Sequence, residues 1–521
     1  MKYFSCKHVL ISLILLAAAW LRLSRLDLME FKLDEALSVM MVMDALDGKG
    51  IPTHGIASSV GVYNPPIFIY LLLAPGLFSS DPIWLTQFIA LLNVAAIFLC
   101  YWFGRKIWND RIGLIAAVLF ATSPWAVIYS RKIWAPDVMP IFSLLVLGGL
   151  HQLCAHGDRR WFLPVVIAAG LMPGIHFVGL FAALIVGLFI LVFRPKVGWM
   201  SWLVAGIVLA MMYLPFLLKD WATFKSGPPL SAPAFSVTAF VLAGEIMSHF
   251  GIDYLLLGDS ARNFYQTLTP AVFVPLTFLG KALMGLFAAG FVMVALELLQ
   301  PFRHGLPVAL LSLRPKAGKL AAWLLVILPL ASCIVLPLNK KLYHHYFTML
   351  YPVQFWLFAA ALDWGLAKIP SWGQRLAQLA GYGFVGITAA FQIIFLVKLA
   401  GFIDRQGGTT GDYGVSYRHK LAAAEYVATS CRNDRAQPRL LAPDRTPLQL
   451  PEYDYLIKRC QKKAGALSET ETWRQFVIAE QIGDSRRDSA REAETPVERR
   501  NFGPVQVLRL SDVPTQALMM K

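Results

Sequence analysis

The sequence predicts an all-α polytopic membrane domain of about eleven transmembrane helices, followed by a small C-terminal α/β domain outside the membrane. Of its 521 residues, 57% are hydrophobic and only 15% are charged, and a mean hydropathy of +0.56 does not fit an ordinary soluble domain. The charge is also unevenly placed. Of 79 Lys, Arg, Asp and Glu residues, 35 fall in the last 121 positions. Apolar runs of spanning length recur up to residue 401 and stop there, which divides the chain into a membrane domain, 1–401, and a soluble domain, 402–521.

Taken in order, the spans fall at about 9–23, 83–104, 111–130, 138–155, 161–174, 177–193, 199–218, 272–299, 320–338, 346–363 and 377–401. Each is set by the length a helix needs to cross the hydrocarbon. The first has Lys2 and Lys7 ahead of an apolar run, as a secretory leader would, but no small-residue cleavage site follows. It reads as a retained span. Arg105, Lys106 and Arg111, Arg159 and Arg160, Arg194 and Lys196, and Arg303, Arg314, Lys316 and Lys319 all fall on one side of this arrangement. That side is cytoplasmic by the positive-inside rule. The N-terminus is then inside, and the loops at about 24–82, 131–137, 219–271 and 339–345 emerge opposite, with the tail. These inner loops account for most of the net charge of +15, so the basicity does not imply a nucleic-acid partner.

The tail reads as a helix from Tyr417 to Thr429 with short β-like runs at Arg439–Ala442, Gln475–Glu480 and Val505–Leu510. Its charged stretch from Asp484 to Arg500 reads as a solvated loop. Cys431 and Cys460 are the two cysteines of the tail, and in an exported domain they are expected to form a disulfide.

Candidate chemistry sits in the outer loops. Asp34 and Glu35 follow the first span closely, and charges so near a bilayer call for a reason. One is structural: acidic residues complement the N-terminal dipole of a surface helix, Asp34 to Leu46. The other is catalytic. Tyr63, Asn64, Pro65 and Pro66 precede an 11-residue apolar run, Ile67 to Leu77, too short to span and suited to the interface. Asp137 follows Pro136 at the mouth of a span, as a helix cap or as a functional carboxylate. Arg131, Lys132, Lys341, His344, His345 and Arg418 are outer-side cations, some of which can equally anchor helix ends at headgroups.

This order of features resembles the GT-C superfamily of integral-membrane glycosyltransferases, in particular the bacterial relatives of protein O-mannosyltransferases and of the aminoarabinose transferase that modifies lipid A. The motifs are the Asp34-Glu35 pair after one span, Tyr63-Asn64-Pro65-Pro66-Ile67-Phe68, and Ser130-Arg131 with Asp137. Downstream are Tyr343-His344-His345-Tyr346 ahead of Tyr351-Pro352, and Gly411-Asp412-Tyr413-Gly414 with Tyr417-Arg418. The resemblance implies a sugar donor on a polyprenyl phosphate in a bacterial inner membrane, a periplasmic active cavity, and an envelope glycan, lipid or protein as acceptor. It implies Asp34 as the catalytic carboxylate, Glu35 as its orienting or acceptor-binding neighbour and Asp137 as a substrate or metal contact. A divalent metal is compatible, though no ligand spacing is diagnostic of one.

Such chemistry needs a base and cations more than an acid. A carboxylate takes the proton of the attacking hydroxyl, while the departing phosphate is held by Arg forks or Lys point charges. Relatives that transfer a charged aminosugar tend to carry Lys before the prolines, where this chain has Asn64, so a neutral hexose or pentose fits as well. Tyr63, Asn64, Pro65, Pro66, Tyr343 and Tyr346 would border the cavity and the donor's access to it. The competing classes are an oligosaccharide polymerase or ligase using a lipid-diphosphate donor, and a transporter or lipid flippase, which would place polar groups near the midplane.

Overall fold

The computed structural model describes residues 6–58, 62–220, 238–335, 342–444, 446–448, 450, 451–463, 473–482 and 497–510. Lys341 and most of the charged stretch after Asp484 therefore lie outside the described residues. The chain forms two compact units: Met1–Ser24, Met41–Gly251 and Pro270–Phe395 make the first, and Arg25–Met40, Ile252–Thr269 and Leu396–Lys521 the second. The second unit is thus larger than the expected tail, since it takes in two segments from the membrane half.

The first ten helices are α1 (Cys6–Leu23), α2 (Leu33–Leu46), α3 (Ile67–Gly76), α4 (Pro82–Ile107), α5 (Asp110–Thr122), α6 (Pro124–Tyr129), α7 (Met139–Leu150), α8 (Phe162–Ile175), α9 (Leu180–Phe193) and α10 (Trp199–Lys219). Five helical stretches among the described residues are long and apolar enough to cross a membrane: Pro82–Ile107, Ala135–Ala155, Trp199–Lys219, Pro270–His304 and Ser371–Gln406. A sixth is made if Leu306–Leu313 and Ala317–Ser332, bent by 101°, count as one. The protein is multi-pass, but the eleven uninterrupted spans expected from hydropathy are not all present as such.

The reasons are local. The run expected at 111–130 breaks at Ser123-Pro124, because proline cannot donate to the helical ladder and forces the preceding residue out of the helical region; Ser123 has φ −55° and ψ 124°. The run at 161–174 yields only the 14-residue α8, with Pro173 in its last turn. That at 346–363 opens as a 3₁₀ segment, His344–Leu350, before the α-helix Tyr351–Ala367. The apolar run after Pro66 does form a ten-residue helix, α3. Where α4 and α5 do pack, glycines set the approach: a Cβ on Gly104 would lie 3.0 Å from Gly113 Cα and 2.6 Å from the Trp356 indole nitrogen.

In the second unit the tail carries a four-stranded sheet of β1 (Gln437–Leu441), β2 (Trp473–Glu480), β3 (Glu498–Phe502) and β4 (Val505–Arg509), in the order β1-β2-β4-β3. β1 and β2 are parallel and the other pairs antiparallel. Two helices accompany it, Tyr417–Asp434 and Pro451–Lys463. Residues 498–500, expected in a solvated loop, instead form an edge strand, where charged side chains suit the exposed side of a ladder. The helix Pro451–Lys463 was not expected, because polar residues outnumber the Tyr453, Leu456 and Ile457 that it buries.

The expected disulfide is absent. Cys431 is a buried thiol, pushed up to about 12 by burial, and is not joined to Cys460, which is only half-buried. The two cysteines sit at different depths. A buried ion pair ties the tail helices to the sheet instead: Lys420 Nζ lies 2.9 Å from Glu452 Oε1 and 3.2 Å from Glu480 Oε1, with Lys420 only 2% exposed. Tyr453 donates to the same Glu480 at 2.8 Å.

Burial opposes the Lys420 charge, but Glu480 and Glu452 outweigh it and raise its pKa. The pair therefore stabilises the tail fully below the unfolded lysine pKa of about 10.4 and is lost as pH rises through the higher folded value. Lys420→Ala should cost about 3–5 kcal/mol by leaving two carboxylates facing a buried void, read as a fall in the melting temperature of the detergent-purified chain. The deficit should shrink above pH 11. Peptide mapping without reductant should find no linked Cys431–Cys460 peptide.

Candidate active site

In the first unit, the functional groups gather where α5 breaks. Arg22, at the end of α1, is wholly buried and donates to the carbonyls of Ala121 at 2.8 Å and Phe120 at 3.1 Å. These are terminal carbonyls of α5 that the Ser123-Pro124 break deprives of intrahelical partners. Arg131 in turn donates to the Leu21 carbonyl near the end of α1 at 2.7 Å. Thr122 donates to Gln392 Oε1 at 2.8 Å, and Trp125 Nε1 to the Phe250 carbonyl at 2.7 Å.

Beyond α6 the chain turns through Ser130–Asp137. Asp137 is 1% exposed, and its turn is pinned from two sides: Asn93 donates to the Asp137 carbonyl at 2.9 Å and Thr348 to that of Pro136 at 2.9 Å. Arg22 and Tyr351, which were not singled out as site residues, both lie against the end of α5, Arg22 through the Phe120 carbonyl and Tyr351 with its ring 5.9 Å from that of Phe120. Their signal was present, since an arginine at the end of an apolar helix must find acceptors.

Lys132, 6% exposed, places its ammonium 3.9 Å from the centre of the Trp134 ring and 5.5 Å from that of Tyr129, a cation–π arrangement. Trp134 also contacts the His345 ring at 4.4 Å, and His345 meets Tyr346 at 4.3 Å and Tyr343 at 5.6 Å. His176 joins them, 6.1 Å from His345 and 5.7 Å from Tyr346. Burial, reinforced by His176, Lys132 and His344, holds His345 well below the usual histidine range, and burial pushes His176 down to about 4. Burial thus disfavours the charged form of both imidazoles.

His344 has a different setting. Its Nε2 lies 2.8 Å from Glu245 Oε2, and its ring stacks on Trp125 at 4.5 Å. Gly251, at φ +82°, makes room for the pair, because a Cβ there would collide with the His344 ring and come within 3.1 Å of Glu245 Oε2. The Tyr63 and His54 rings lie 4.2 Å apart and tilted by 39°, and Asn64 Nδ2 donates to the Ile56 carbonyl at 2.9 Å. The loop before Pro65 and Pro66 is therefore folded on itself.

In the second unit, Lys32 caps α2: its carbonyl accepts from Ala36 N at 2.9 Å, and Glu35 Oε2 reaches back to the Lys32 N–H at 2.9 Å. This is half of a capping box, and Glu35 is 2% exposed. Asp34 is half-exposed in the first turn, with Ser38 donating to its carbonyl at 2.8 Å. The paired carboxylates thus divide their work, one capping the helix and the other presented at its N-terminal turn. Lys32 itself pairs with the buried Glu30 at 2.7 Å.

Arg418 donates to Asp404 at 2.6 Å and Asp27 at 3.3 Å, and Arg25 shares Asp404 at 2.9 Å. The Gly411-Asp412-Tyr413-Gly414 motif docks on residues 255–260: Asp412 N donates to Leu255 O at 2.8 Å, and Thr409 Oγ1 to Leu256 O at 2.5 Å. A Cβ on Gly411 would lie 2.6 Å from both the Leu256 carbonyl oxygen and the Gly258 nitrogen. Among the described residues, no group of three or more His, Cys, Asp or Glu is arranged to hold a metal ion.

No protein-family model and no curated protein matches the chain. Solved structures do. Its fold matches ArnT from Cupriavidus metallidurans in the apo state over 97% of this chain and 98% of that one, with TM-score 0.56 and 12% identity. The same protein bound to undecaprenyl phosphate matches over 96% and 97%, with TM-score 0.55 and 12% identity. An oligosaccharyltransferase from Archaeoglobus fulgidus covers 92% of this chain and 70% of its own, at TM-score 0.48 and 13% identity. The chain has a GT-C fold resembling that of the aminoarabinose transferase.

Proposed function

We propose that this protein is a membrane glycosyltransferase that moves a sugar from a polyprenyl-phosphate donor to a hydroxyl of an envelope glycan, lipid or exported protein. The observation that carries the reading is the match in fold, along nearly the whole chain, to a protein also solved with undecaprenyl phosphate bound. The orientation we assign is that of the positive-inside loops: N-terminus cytoplasmic, tail periplasmic, in a bacterial inner membrane.

Asp34 is the general base, taking the proton of the acceptor hydroxyl as it attacks the anomeric carbon and the phosphate leaves from the opposite face. Its half-exposed place in the first turn of α2 supports that role, whereas the buried Glu35 positions the helix start. Arg131, oriented by its bond to Leu21, and the aromatic-caged Lys132 hold the departing phosphate, with Lys341 as a further outer-side cation. His345 meets an anion as a neutral N–H donor. His344 is fixed by Glu245, Asp137 contacts the substrate, and Tyr343 and Tyr346 wall the donor's sugar. Arg418, already clasped by two carboxylates, holds the motif after the last span in place.

Asp34→Asn should lower the transfer rate about 10²- to 10⁴-fold and leave donor binding intact, so that native mass spectrometry finds the variant loaded with sugar-bearing polyprenyl phosphate. Transfer at the parent rate, or no such lipid on either form, would overturn the reading. Glu35→Gln should instead lower the melting temperature, with activity lost only in proportion to unfolded protein. Arg131→Gln should chiefly raise the KM for the donor lipid.

A further inference from the structure

A cavity lies in the first unit among residues not used above. Its volume is about 760 Å³, within the roughly 300–1,000 Å³ typical of ligand sites. It is bounded by α1, by the turn and first half of α5, and by the helix Ser371–Gln406. One end is polar and the other apolar.

At the polar end, Lys7 Nζ lies 2.5 Å from Asp110 Oδ2, and Arg105 approaches the same carboxylate at 3.5 Å. Arg111 meets Asp363 only at 3.7 Å, beyond hydrogen-bond distance, while Asn109 donates to that Asp363 at 2.9 Å. Three cations thus face two carboxylates, leaving one excess positive charge. Arg111, half-exposed at 50%, presents a guanidinium fork suited to a phosphate. Away from this end the walls are Leu10, Ile115, Val118 and Val385. Gly386 leaves the floor open, since a Cβ added there would meet nothing within 4 Å.

A free inorganic anion would leave the apolar length unfilled, and a neutral apolar chain would leave the excess charge unmatched. We infer that the cavity binds an anionic glycerophospholipid, its phosphate at Arg111 and one acyl chain along Ile115, Val118 and Val385. The basic residues at its mouth are among those the positive-inside reading assigns to the cytoplasmic face, whose leaflet carries anionic lipid. The inference does not depend on the proposed transferase activity.

The test is native mass spectrometry of the full chain in detergent, titrated with phosphatidylglycerol, phosphatidylcholine or inorganic phosphate. The parent should retain phosphatidylglycerol at least tenfold better than phosphatidylcholine. Gly386→Leu, which fills the cavity and favours helix, and Arg111→Gln should each reduce that retention at least tenfold, with polyprenyl-phosphate binding unchanged. Equal retention of the two phospholipids, or no effect of either variant, would overturn the inference. So would displacement of phosphatidylglycerol by inorganic phosphate, meaning a free-anion site, or by polyprenyl phosphate, meaning a site for the carrier lipid.

Discussion

The first unit depends on satisfying the backbone that proline uncovers. Water is scarce at membrane depth, so a broken helix there must find its hydrogen-bond partners within the protein. When Pro124 ends α5, the carbonyls of Phe120 and Ala121 need donors, and Arg22 provides them from the end of α1. Arg131 then does the same for α1 through Leu21. Two arginines and two helix ends are locked reciprocally, and the turn from Ser130 to Asp137 leaves this joint with little freedom. A cation at a helix C-terminus also complements the dipole there, so the joint is held by charge as well as by hydrogen bonds.

Much of the membrane architecture was legible because hydropathy records burial in lipid directly: the expected spans at 83–104, 138–155, 199–218, 272–299 and 377–401 each have a counterpart. What hydropathy does not record is continuity. The run 111–130 is apolar throughout, yet Ser123-Pro124 divides it, and that division creates the setting of Arg131 and Asp137. Arg22 and Tyr351 were readable as residue types, but what they pack against depends on which helices meet. The tail was harder. Its helix Pro451–Lys463 and strand β3 carry many charges, and their few buried residues acquire meaning only beside the sheet.

Charges in the second unit show how a motif can be structural and still sit in a functional region. Asp34 and Glu35 are adjacent in sequence, but helix geometry turns them to different tasks: Glu35 reaches back to cap α2 while Asp34 faces outward. The glycines around Asp412-Tyr413 permit backbone-to-backbone docking on residues 255–260, where any Cβ at Gly411 would separate the strands of chain. The ion cluster of Arg25, Asp27, Asp404 and Arg418 fixes that same region. Arg418, a candidate phosphate cation from sequence, is thus also part of the scaffold that holds this segment.

Arg418 and Lys132 are buried or half-buried cations held by different means. An anion at Arg418 must compete with Asp27 and Asp404, and the guanidinium loses bonds comparable to those it makes. Aromatic faces around Lys132 stabilise the ammonium through their quadrupoles and are not themselves anions that a phosphate must expel. Burial that disfavours a charged His345 fits this setting, because a second full positive charge beside Lys132 would be costly to bury. A cation held between carboxylates keeps chain segments together, as Arg418 does, whereas a cation against π faces draws part of its stabilisation from groups that carry no net charge.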